Sequence, residues 1–188
     1  RLFPMQPSEQ EAPFGQSSQT PVSILAGTSA AVDDTTTILA ALRRQPAVSL
    51  PLPKQRQQEL TPFLIQPESL PLLINLLDQK GILSPPPIAP FSESVRPLLE
   101  ANRGDVLAWL LSAWKNSVAW NDLAHTPDIN CANESWPNDP LAGRHAILNF
   151  LGNIPPGALW DLDSFISATE DHQPAFQRTA GDFDSWYL

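Results

Sequence analysis

The stretch SLPLLINLLDQKGILSPPPIAPF, residues 69–91, carries the pattern that decides the predicted fold. Four leucines recur at helical spacing and share one face: Leu70, Leu73, Leu76 and Leu77. This periodicity predicts an α-helix that begins near Ser69 and is capped at its C-terminus by Gly81. Residues 82–91 place apolar residues on both sides of a run of prolines, which predicts a hairpin with a stiff tip.

The residues before this stretch predict shorter elements. A first helix is expected to begin at Asp33 and Asp34, because carboxylates at a helix start accept free backbone N–H groups, and to end before Pro46. The segment AVSL, residues 47–50, fits a short strand, and residues 53–60 fit a second helix. The order helix, strand, helix, helix, hairpin is typical of a winged helix. A generic small helical domain is the alternative interpretation.

The segment DVLAWLLSAWKNS, residues 105–117, is apolar on nearly every side. A helix without a broad polar face is usually buried. This segment is therefore expected to be the central helix of the fold, with Trp109 and Trp114 in the core.

Residues 135–148, SWPNDPLAGRHAIL, predict a capped amphipathic helix rather than a reactive cluster. Asp139 is a favourable N-cap, and Pro140 suits the first helical position because its missing N–H costs little there. The residues expected to face inward are Leu141, Ile147, Leu148 and Leu151. A further helix is expected after Asp163, with one face described by Leu162, Phe165, Ile166 and Thr169.

These elements predict a mainly α fold with small β hairpins, in which winged-helix-like units pack on a central helical core. Residues 1–32 are expected to be an extended arm rich in Pro, Gln and Ser, and residues 33–92 a winged-helix-like unit. Residues 93–152 would form the central helical segment. Residues 153–188 would begin a second winged-helix-like unit that is cut short, because the chain is expected to be a piece of a longer protein.

The net charge of the chain indicates whether nucleic acid is a favourable partner. With 11 basic and 20 acidic residues the net charge is −9, which disfavours a general nucleic-acid coat. Four cations on the first two predicted helices could still make weak phosphate contacts: Arg43, Arg44, Lys54 and Arg56. The outward residues of the third helix include no cation: Leu72, Asn75, Asp78 and Gln79.

The sequence offers little support for catalysis or for a cofactor. His125, Asp128, Cys131 and Glu134 lie in one loop, but one cysteine without paired spacing is a poor zinc ligand set. No nucleotide-binding or nucleophile motif is present, so we expect neither an enzyme nor a metal, cofactor or small-molecule site. The single cysteine gives no sign of an oxidising compartment. No apolar run is long enough for a membrane span, and a cytoplasmic location is expected.

Three segments carry a resemblance to a known family: AWKNSVAWNDL (residues 113–123), WPNDPLAGRHAILNFLGNIPPGALWDLDSFISA (136–168) and PAFQRTAGDFDSWYL (174–188). Their Trp, Asn, Asp and Pro pattern resembles a bacterial family of large proteins. Those proteins are similar to the helicase-associated, winged-helix-containing N-terminal region of XPB-type helicases. The resemblance implies a setting in nucleic-acid transactions, although this sequence contains no helicase motor motif.

The sequence therefore predicts a non-catalytic interaction module of a larger protein, docking protein partners or the downstream domains of its own polypeptide. The alternative is a DNA-binding regulatory domain that uses the small basic patch on the first two helices. Such binding would be weak and dependent on salt.

Overall fold

The computed structural model describes residues 28–126, 139–155 and 160–172, and these ranges contain seven α-helices. They are α1 (Ala30–Arg44), α2 (Lys54–Leu60), α3 (Leu70–Gln79), α4 (Ser92–Glu100), α5 (Arg103–Lys115), α6 (Pro140–Gly152) and α7 (Leu162–His172). Helices α1 to α5 belong to one compact unit, Ala26–Trp120, and α6 and α7 belong to another. We call them the α1–α5 unit and the α6–α7 unit.

The core of the α1–α5 unit lies where α1, α3 and α5 pack together. Ile38 and Leu42 of α1 and Leu77 of α3 are completely buried. The four leucines predicted to share one face of α3 are all buried, which confirms that face: Leu70, Leu73, Leu76 and Leu77. Burial of this much aliphatic surface is the main stabilising contribution to the unit.

The end of α3 is also as predicted. Gly81 has a φ of 65°, a left-handed conformation that glycine adopts without steric cost. The amide of Ile82 then donates to the carbonyl of Leu77 at 2.9 Å, as in the usual glycine-terminated helix end.

The predicted fold class, mainly α with small β hairpins in winged-helix-like units, is wrong in its β part. The described residues contain no β-strand, and antiparallel pairing within residues 28–126 is limited to two isolated bridges, Ala47 with Ile88 and Leu83 with Pro90. Prolines explain why neither bridge extends, because a proline has no N–H to donate to a ladder. Pro46 and Pro87 adjoin the first bridge, and Pro90 is itself a member of the second.

Helix α1 begins earlier than predicted, and its two acidic residues have different roles. The helix starts at Ala30, so Asp33 and Asp34 lie inside it. Asp33 accepts two hydrogen bonds of 2.7 Å from Arg103 of α5. These bonds hold the pKa of the Asp33 carboxyl below its ordinary value. Asp34 is completely buried and accepts from the backbone amides of Ile65, at 2.7 Å, and Gln66, at 2.9 Å.

Helix α5 is less buried than predicted. Val106, Leu110 and Ala113 face the core, but Leu107 and Leu111 are 38% and 52% exposed. The two tryptophans expected in the core, Trp109 and Trp114, pack against it while staying partly exposed. The helix therefore has one buried face and one exposed apolar face.

In the α6–α7 unit, the predicted start of α6 is confirmed. The Asp139 carboxylate accepts from the amides of Leu141, at 2.9 Å, and Ala142, at 3.2 Å, and Pro140 is the first helical residue. The expected inward face is not the most buried part of the helix, because all four of its members are partly exposed: Leu141, Ile147, Leu148 and Leu151. Arg144 is buried instead, and its Nε lies 2.6 Å from Asp122 Oδ2.

Helix α7 is held by aromatic contacts. Phe165 is buried, with its ring centroid 5.2 Å from that of Trp160 and 6.4 Å from that of Phe150. Asp161 caps the helix by accepting from the amide of Ser164 at 2.9 Å, so the cap lies two residues before the predicted Asp163. Thr169 is buried on the same side as Phe165.

Candidate docking groove

A groove of about 560 Å³ lies between α1 and α4 in the α1–α5 unit. Four residues of α1 line it: Thr36, Leu39, Ala40 and Arg43. Their spacing of three and four residues places them on one face of the helix. Leu39 is buried and belongs to the core, so this side of the groove is anchored in the packed part of the fold.

The opposite side of the groove is one face of α4. The lining residues again follow helical spacing: Ser92, Val95, Arg96, Leu99 and Glu100. Val95 is the only buried residue of α4, and Leu99, four residues later, is 53% exposed. The apolar face of α4 is therefore only partly covered by the fold.

The charges beside this apolar surface are mainly positive on α1 and balanced on α4. Arg43 is exposed, and the described residues make no hydrogen bond or ion pair with it. Arg96 donates to Glu100 at 2.8 Å across one turn of α4, and both side chains are well exposed. An exposed pair of this kind contributes little to stability, so both groups can be engaged by a partner.

The four cations predicted to contact nucleic acid have different surroundings in the structure. Arg43 lines the groove, and Arg44 is exposed in the same last turn of α1. Lys54 is exposed at the first position of α2. Arg56, by contrast, is occupied within the fold.

The guanidinium of Arg56 closes the C-terminus of α1. Nη2 donates to the carbonyls of Ala41 and Gln45, both at 3.1 Å. Nη1 donates to the side chains of Gln45, at 3.1 Å, and Glu59, at 2.9 Å. The hydrogen bond from Arg56 lowers the pKa of Glu59. A cation at this position satisfies the last carbonyls of a helix and suits its negative dipole end.

Replacing Arg56 with alanine is expected to lower the free energy of unfolding by about 1–2 kcal/mol, because α1 loses hydrogen bonds to its final carbonyls. Lys54→Ala, on the same short helix, is the matched control, since Lys54 is exposed and is expected to change stability very little. Urea denaturation followed by circular dichroism measures both. Equal stability of the two variants would show that Arg56 does not close α1.

The face of α3 that a DNA reader would use is committed to other contacts. The side-chain amide of Gln79 donates to Asn75, and its carbonyl accepts from the hydroxyl of Ser117 at 2.9 Å. Leu72 packs against the core. Base recognition needs polar side chains aimed at base edges. The Gln79 side chain is instead bonded to Asn75 and to Ser117, which follows α5.

Of the loop residues considered as metal ligands, only His125 lies within the described residues. Its Nδ1 is 2.9 Å from the carbonyl of Asn121. Asp128, Cys131 and Glu134 lie outside the described residues. Among the residues that are described, no three His, Cys, Asp or Glu side chains are grouped as a metal site would require.

The groove is not predicted by the sequence. The spacing of Val95, Arg96, Leu99 and Glu100 is visible in the sequence, but it predicts only an amphipathic helix. Which part of that face is covered depends on where α1 and α4 meet.

No protein-family model, curated protein or solved structure matches this chain. The resemblance to the helicase-associated region therefore stays a prediction from the sequence. None of the described helices combines the length and the apolar character that crossing a membrane requires.

Proposed function

We propose that this chain is a non-catalytic interaction module of a larger protein, and that a helical protein segment docks in the groove between α1 and α4. The observation that carries the proposal is the partly covered apolar face of α4, where Leu99 is 53% exposed beside buried Val95. Exposed aliphatic surface in a concave site gains most from being covered by a partner. The setting in nucleic-acid transactions is part of the proposal and rests on the resemblance alone.

The distribution of cations favours a protein over DNA as the partner. Arg56 is used to close α1, and Arg43 stands beside apolar residues of the groove. A phosphate backbone would leave Leu99 uncovered. An amphipathic helix would bury Leu99 and could place a carboxylate against Arg43, which is the usual way in which a helix binds an apolar groove.

Two NMR titrations, each with a different ligand, test this proposal. The ¹⁵N-labelled chain is mixed either with a synthetic acidic amphipathic peptide or with duplex DNA, at about 0.15 M salt. We expect the peptide to shift the amide signals of Leu39, Val95 and Leu99. The variant Leu99→Glu should weaken peptide binding at least about tenfold, because it places a charge in the apolar contact.

Leu111→Glu is the matched control, because Leu111 is also about half exposed but lies on α5, outside the groove. It is expected to bind the peptide as the unmodified chain does. If the peptide shifts no groove signal, while DNA shifts those of Arg43, Arg44 and Lys54, the docking proposal is wrong and the DNA-binding alternative is favoured.

A further inference from the structure

We infer that the groove between α1 and α4 binds helix α7 of a second copy of this chain. The inference rests on the proposed docking function and adds the identity of the docked helix. It is drawn from two surfaces that have complementary chemistry.

The first of these surfaces is an exposed apolar edge of α7. Leu162 is 57% exposed and Ile166 is 46% exposed. They are four residues apart, so their side chains lie next to each other on the helix. Phe165 and Thr169 on the neighbouring side are buried, which fixes the orientation of α7 and keeps the Leu162–Ile166 edge turned outward.

Carboxylates accompany this apolar edge. Glu170 continues the Leu162–Ile166 row at the next interval of four, and Asp163 lies three residues before Ile166. Both are exposed. Helix α7 thus presents two aliphatic side chains flanked by two acids, which matches the amphipathic acidic helix expected from the groove.

The acidic residues of the chain are concentrated in the part that contains α7. Residues 26–120 carry eight acidic and eight basic side chains, whereas residues 121–188 carry ten acidic and two basic ones, a net charge of −8. The groove has the exposed cation Arg43 beside its apolar surface. The attraction is expected between the carboxylates of α7 and Arg43 of the groove. Opposite charges placed across such a contact favour the correct partner and orientation.

The two surfaces also agree in length. The lining residues of α4 extend from Ser92 to Glu100, about 12 Å along the helix axis, and α7 extends from Leu162 to His172, about 15 Å. Leu162 and Ile166 are one turn apart, as are Val95 and Leu99. A contact of one helix with one groove buries little area, so the association is expected to be weak.

Sedimentation equilibrium of the whole chain, from about 10 μM to about 1 mM, tests the inference. Because each copy has a net charge of −9, the salt should be about 0.15 M, where the Debye length is about 8 Å and long-range repulsion is largely screened. We expect concentration-dependent association. The groove variant Leu99→Glu and the α7 variant Leu162→Glu/Ile166→Glu should each weaken it at least about tenfold.

Mixing the two variants makes the test specific. The α7 variant keeps an intact groove, and the groove variant keeps an intact α7, so the mixture should form a one-to-one complex that neither variant forms alone. All the substitutions are at exposed positions, and a thermal melt of each variant is the check that it is folded. Leu111→Glu is the control for a new charge at an exposed leucine and should associate like the unmodified chain.

Three outcomes would overturn the inference: a monomer at every concentration, association that neither variant weakens, or no complex in the mixture. If the chain is monomeric and the acidic peptide still binds the groove, only the identity of the docked helix is wrong. If the peptide does not bind either, the proposed docking function fails as well.

Discussion

Asp34→Ala is expected to lower the free energy of unfolding of the α1–α5 unit by about 3–5 kcal/mol. The carboxylate is completely buried and accepts from the amides of Ile65 and Gln66. A hydrogen bond to a charged group contributes about 1.5–3 kcal/mol, and alanine would leave two amides without their acceptor. Hydrogen exchange of the α1 and α3 amides measures the loss, because these helices form the core of the unit.

Two further variants separate this role from a general effect of charge. Asp33→Ala removes the neighbouring carboxylate, which is more exposed and bonded to Arg103, and a much smaller loss is expected. Asp34→Asn keeps the shape of the side chain but turns an N–H₂ group toward one of the two amide donors, so its stability should be intermediate. Equal losses for Asp33→Ala and Asp34→Ala would contradict the assigned role of Asp34.

The contrast between these two residues shows how far the sequence determined the fold. The pair Asp33 and Asp34 predicts the start of α1, because acidic residues near a helix start are favourable in general. The actual partners of Asp34 are 31 and 32 residues away. No local pattern specifies such a partner, since it depends on where the residues after α2 pass over α1.

Elements whose ends depend on local chemistry could be predicted. Gly81 ends α3 because its left-handed conformation suits glycine, and Asp139 with Pro140 begins α6 because the cap is made within four residues. The hairpin could not be predicted in the same way. Leu83 and Pro90 do pair across the prolines, but only as one isolated bridge, because the same prolines that stiffen the turn remove ladder donors.

The candidate site illustrates the same limit. Arg43 and Arg56 look equivalent in the sequence, as cations on neighbouring helices. Arg56 is used to close α1, whereas Arg43 lines the groove. The difference follows from the tertiary contact between Arg56 and the end of α1, which neither helix specifies by itself.

Leu110→Ala is expected to lower the free energy of unfolding by about 3 kcal/mol, through lost burial and the cavity left in the core. Leu111→Ala is expected to cost less than about 0.5 kcal/mol, as exposed substitutions usually do. Leu110 is 4% exposed and Leu111 is 52% exposed. Leucine and alanine are both good helix formers, so the difference between the variants reports burial alone. Urea denaturation of the two variants measures it.

The comparison of Leu110→Ala with Leu111→Ala shows whether α5 is buried on all sides or on one face only. The sequence predicts a helix surrounded by the fold, for which both leucines would be costly to truncate. The structure gives α5 a single buried face, formed by Val106, Leu110 and Ala113. If Leu111→Ala proves as damaging as Leu110→Ala, the exposed face of α5 is covered in solution. The second apolar side of α5 would then be covered by another part of this chain or by another molecule, because a helix that is apolar on nearly every side is usually buried on all of them.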